Sequence, residues 1–115
     1  MANYSTALDA AFHALSDPTR RAVIHRLMSG PASVKELAAP FEMGLPSFMK
    51  HIKVLEGCGL VGSEKVGRVR TCHVRAERLG AAESWLSAQR ALWEGRTDRL
   101  AHYVENSILS GEKSS

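Results

Sequence analysis

Apolar residues in the first half of the chain recur every three or four positions, the spacing that lines one face of a helix. In STALDAAFHALS the stripe is Leu8, Ala11, Phe12 and Leu15, and it stops at Ser16 and Asp17. Asp17 suits an N-cap and Pro18 a first helical position, so a second helix starts there; its stripe is Ala22, Val23, Leu27 and Met28, ending at Gly30 and Pro31. In PASVKELAAPF, Ser33 and Glu36 have capping-box spacing, which predicts a short third helix ending near Pro40. After Glu42, Met43 and Gly44, the stretch GLPSFMKHIKVLEGCG predicts a fourth helix of about three turns, with Pro46 in its first turn and Gly57 and Gly59 at its exit. Two short helices joined by a tight connection have helix-turn-helix spacing.

Beyond this pair, LVGSEKV and RVRTCHV are β-branched runs on either side of Gly67, which predict an antiparallel hairpin with a basic tip. Helical period then returns from Glu77 to about Leu109 through Leu79, Ala82, Trp85, Leu86, Leu92, Trp93, Leu100, Tyr103, Val104 and Ile108. A helix of that length spans roughly 45 Å, more than a domain of this size can cover, and Gly95 is a place for it to bend. The expected fold is mainly α: a winged helix-turn-helix with a two-stranded β-hairpin wing and a long C-terminal dimerisation helix. Residues 1–109 are expected to form one domain, and SGEKSS, 110–115, an unstructured tail.

On a helical wheel Leu45, Phe48, Ile52 and Leu55 of the fourth helix share one stripe, while Pro46, Lys50, Lys53 and Gly57 lie roughly opposite. One face is core and the other is basic. The whole chain has 15 Lys+Arg against 12 Asp+Glu, a net of +3 that by itself names no partner. Its distribution says more, because Lys50, Lys53, Lys65, Arg68, Arg70 and Arg75 face only Glu56 and Glu64 between Ser47 and Arg75. The basic excess sits in the helix-turn-helix and hairpin, as expected of a surface for double-stranded DNA.

No run approaches 18 consecutive apolar residues and Met1 to Phe12 lacks a signal-peptide pattern, so a cytoplasmic protein with no membrane partner is expected. Cys58 and Cys72 fit neither a disulfide framework nor zinc-finger spacing. A buried free cysteine behaves as a small hydrophobe, and Cys72 alternates in register with the inward Val74. No glycine-rich phosphate loop, carboxylate pair or nucleophile motif points to an enzyme.

The combination ALSDPTRRAVIHRL, SVKELAAPF, LPSFMKHIKVLEGCGLV and GRVR resembles the ArsR family of bacterial winged-helix repressors, over about Leu8 to Glu105. The resemblance implies a homodimer that reads an inverted-repeat operator, on a promoter that is often its own. The fourth helix then reads the major groove through Pro46, Ser47, Met49, Lys50, His51 and Lys53, and Lys65, Arg68 and Arg70 of the wing touch backbone or minor groove. Leu8 and Phe12 of the first helix, with Trp85, Leu86, Leu92, Trp93, Leu100 and Tyr103 of the last, make the dimer interface.

Some positions carry two readings. Met49 either thickens the edge of the core or touches a thymine methyl, and His51 either faces DNA or makes an internal hydrogen bond. Metal-sensing relatives carry cysteines in the helix matching VKELAAPF, and none stands there. In other relatives an Asp-x-His pair and a later His-x-x-Glu pair hold zinc between two last helices; His102 and Glu105 match the second pair, but Gln89 and Ala91 occupy the first. His102, Glu105 and Asp98 are therefore read as ordinary helix-face pairing, with no metal or cofactor expected. The alternatives are a metal- or redox-responsive repressor using Cys58 and Cys72 with His73, and a winged-helix module that docks an acidic protein.

Overall fold

A computed structural model describes the backbone of residues 2–114 and the side chains of residues 6–108. The chain divides into two compact units, Met1–Ala82 and Glu83–Ser115. The first holds α1 (Ala2–Leu15), α2 (Pro18–Leu27), β1 (Ala32–Ser33), α3 (Val34–Ala38), α4 (Leu45–Gly57), β2 (Val61–Val66) and β3 (Val69–Val74). A 3-10 turn, Ala76–Leu79, leads into α5 (Gly80–Ser114), whose greater part is the second unit.

The joint between α1 and α2 is built by the DPTRR stretch. Asp17 caps α2, accepting from the Arg20 backbone N–H at 3.0 Å, and that bond holds its carboxyl below the ordinary carboxylate range. Pro18 follows in the first turn, where a missing N–H costs nothing. The two arginines reach back to the end of α1: Arg20 Nε donates to the Ala14 carbonyl at 2.7 Å, Arg20 Nη2 to His13 at 3.1 Å and Arg21 Nη1 to Leu15 at 2.8 Å. Helix ends leave carbonyls without intrahelical partners. Here one short motif satisfies both ends of the joint.

Phe48, Ile52 and Leu55 on α4 are fully buried and meet Val23, Ile24 and Leu27 of α2, Leu37 of α3, and Leu60, Val61 and Cys72 around the sheet. The turn between α3 and α4 is held by Phe41, whose ring stacks on Phe48 at 5.6 Å. Ser33 and Glu36 form the expected capping box at the start of α3. Three positions differ from the expected stripes. Leu45, Ala22 and Met28 are exposed, because α4 begins a turn before its core contact and Ile24 takes the place on α2 assigned to its neighbours.

The hairpin forms about Gly67 with Val66 opposite Val69, and Gly67 sits at φ +62°, a left-handed conformation that glycine adopts without penalty. The sheet has three strands rather than two, in the order β1-β3-β2, all antiparallel. Ala32 and Ser33 pair with Cys72 and Thr71, so Ser33 ends a strand and caps a helix at once. A two-residue strand has no period to reveal it.

α5, the greater part of which forms the second unit, is one continuous helix of 35 residues, about 52 Å long, with Gly95 inside it. The backbone of 110–114 continues α5 where an unstructured tail was expected, while Ser115 and the side chains of residues 109–114 lie outside the described residues. At about 100° per residue, its exposed large apolar residues Trp85, Leu86, Leu92, Trp93, Leu100, Tyr103, Val104 and Ile108 fall within an arc of about 160°. No helix among the described residues is long and apolar enough to cross a membrane.

Candidate nucleic-acid interface

Burying Phe48, Ile52 and Leu55 turns the opposite side of α4 to solvent. Pro46, Ser47, Lys50 and Lys53 are all exposed there. Lys50 and Lys53 stand three residues apart, close enough to address adjacent phosphates or a phosphate and a base. Met49 is half-buried and packs against the core edge, leaving part of its side chain on this face.

His51 has inward partners. Its Nδ1 lies 3.2 Å from Arg20 Nη1 and 3.6 Å from Asp17 Oδ2. A guanidinium carries donors only, so Nδ1 accepts from it. The ring thus ties α4 to the α1–α2 joint, the internal of its two readings.

The hairpin places Lys65 directly opposite Arg70 across the ladder. Like charges in such a pair oppose sheet formation, so the pairing adds positive charge to the hairpin without stabilising it. Arg68 is exposed beside Gly67 at the turn. Arg70 is partly engaged: its Nη1 donates to Ser63 Oγ at 2.9 Å, and Ser63 Oγ donates to Glu56 Oε2 at 3.3 Å. This chain fixes the hairpin to the last turn of α4, so the hairpin is held in place relative to that helix. Lys35 at the start of α3 and the exposed Leu45 border the same groove as Lys65, Arg68 and Arg70. The sequence reading missed both.

Cys72 is fully buried, and burial first, then the Glu56 carboxylate, push its thiol pKa up. A thiol held protonated is a poor nucleophile and metal ligand. Cys58 is half-buried, its Sγ donating to the Leu55 carbonyl at 3.4 Å. On α5, His102 pairs with Asn106 at 3.0 Å, one turn on, in place of the expected pairing with Glu105 or Asp98. Among the described residues no three of His, Cys, Asp or Glu are grouped to hold a metal ion.

Comparison with known proteins gives this arrangement a context. A family model described as a helix-turn-helix domain matches residues 15–63, the stretch from the end of α1 through α4 to β2. A solved structure described as an ArsR family transcriptional regulator, RHA00566, is 56% identical with a TM-score of 0.75, covering 78% of this chain and 93% of that one. The HTH-type transcriptional regulator Rv2034 of Mycobacterium tuberculosis is 38% identical over 73 residues, 64% of this chain and 68% of that protein. The transcriptional repressor SdpR of Bacillus subtilis is 28% identical over 79 residues, 69% of this chain and 88% of that protein.

Proposed function

The chain belongs to the ArsR family of helix-turn-helix transcriptional regulators, and from that premise we propose that it is a cytoplasmic, homodimeric repressor of an inverted-repeat operator, not an enzyme. The observation that carries the reading is the division of α4 into a buried apolar face and an exposed face bearing Lys50 and Lys53, with the cationic hairpin fixed beside it. The second helix of a helix-turn-helix enters the major groove, and its N-terminal residues reach base edges. Pro46, Ser47, Met49, Lys50 and Lys53 are its contact residues in this reading, with Lys65, Arg68 and Arg70 on phosphate or minor groove.

The second copy is assigned to α5. A continuous apolar arc on a helix more than 50 Å long, by the rise of about 1.5 Å per residue, needs a partner surface. An identical arc on another copy supplies one, and two-fold symmetry then matches an inverted repeat. Leu8 and Phe12, both half-buried, are the contribution of α1. Residues 1–109 serve together as the binding and dimerisation module.

The test uses a duplex enriched by the purified chain from a random pool. Lys50→Ala and Lys53→Ala should each weaken binding to it without unfolding the protein, since both side chains are exposed. A lysine on phosphate should lower the slope of log affinity against log salt by about one and weaken all sequences alike; a lysine on a base should relax sequence preference at one position. If both variants bind as tightly as the parent chain at every salt concentration, α4 is not the reading helix.

A further inference from the structure

The basic face of α4 that meets DNA in the proposed function is flanked, on the side toward the hairpin, by apolar side chains. Leu45 is the first residue of α4 and is 54% exposed, although its helical phase belongs to the core stripe. Met49 follows one turn later, half-buried. The two stack along the helix at i and i+4, and with Val69 of β3, 53% exposed, they border the groove between α4 and the hairpin. Lys65 and Arg68 stand on the same groove from the hairpin side, and Lys35 from α3.

A single exposed leucine is ordinary. An apolar pair opening the reading helix, framed by cations, is a more specific arrangement. Cations on that rim fit the two phosphate backbones that border a groove, and what lies between the backbones is the row of base edges. In the major groove the only apolar group on a base edge is the C5-methyl of thymine. We propose that Leu45 and Met49 form a thymine-methyl reader that sets the sequence preference of the chain, with Lys35 as an added phosphate contact that anchors α3 over it. This rests on the assignment of α4 as the major-groove helix and deepens it. Polar groups on the helix position the protein on DNA, while the apolar pair selects among A·T-containing sites.

Replacing thymine by deoxyuridine removes the methyl and changes nothing else in the pairing, so each thymine of the enriched duplex can be tested singly. At one or two positions per half-site the substitution should weaken wild-type binding about fourfold, the worth of one methyl-sized group removed from water. In Leu45→Ala or Met49→Ala that loss should shrink or vanish at the matching position, while Lys50→Ala should leave it intact. Leu45 is the cleaner probe because more than half of its surface is exposed and it stands outside the core cluster, whereas Met49→Ala also thins the core edge. A duplex that is bound specifically yet tolerates deoxyuridine everywhere overturns the methyl reader and leaves α4 as reading helix. An undiminished deoxyuridine penalty in Leu45→Ala overturns the role of Leu45. Failure to enrich any duplex overturns both this inference and the function on which it rests.

Discussion

Trp93→Ala is expected to convert the protein from a dimer to a folded monomer at micromolar concentration and to abolish tight operator binding with it. The side chain is 67% exposed on α5, so the single chain loses little by its removal. In the proposed dimer α5 covers the indole, and truncating a buried tryptophan costs about 3 to 5 kcal/mol. That raises the dissociation constant by a factor on the order of 100 or more. The monomer still presents one α4, but two half-sites about 34–36 Å apart can no longer be gripped together. Sedimentation velocity distinguishes the species and circular dichroism checks that α5 stays helical. A wild-type chain that sediments as a monomer, or a Trp93→Ala chain that remains dimeric, would remove α5 as the interface.

Arg20→Ala is expected to destabilise the first unit although it removes no apolar core residue. It strips a donor from the Ala14 and His13 carbonyls and from His51 Nδ1 in one step. The Ala14 bond is buried, and each buried acceptor left without a donor costs about 1 to 3 kcal/mol. A loss of about 3 kcal/mol lowers the melting temperature by an amount on the order of 10 °C in a domain of this size. Arg20→Lys should recover only part of it, since an ammonium cannot span three acceptors in a planar fork. Thermal and urea unfolding measure the difference. Wild-type midpoints in Arg20→Ala would show that the joint is held by packing alone.

These two residues also mark where the sequence was and was not readable. The α5 arc was legible because its apolar residues repeat over many turns. Asp17, Pro18, Ser33 and Glu36 were legible because capping depends on local chemistry at fixed offsets. Arg20 was missed because an apolar template skips charged residues. Yet Arg20, Val23, Ile24 and Leu27 follow the i, i+3, i+4, i+7 spacing of a buried stripe, so a cation in core phase was the available signal. Leu45 failed in the opposite direction. Its phase is that of the core, but phase cannot say where along α4 the core begins. The strand Ala32–Ser33 and the Glu56–Ser63–Arg70 chain depend on pairing between distant segments, which no local pattern carries. For His51 the sequence left a DNA contact and an internal bond side by side, and the internal bond, at Nδ1, depends on the position of Arg20, which local pattern does not give.

The central claim is that the α4 face and the hairpin bind DNA by sequence. It is tested most directly by competition at physiological salt between the enriched duplex and a shuffled duplex of equal length and composition. Sequence-specific regulators prefer their sites by about a thousandfold or more over nonspecific DNA. That preference is the expected result. Equal affinity for the two duplexes would leave only the attraction of a basic surface to phosphate, and would contradict the assignment of α4 as a reading helix.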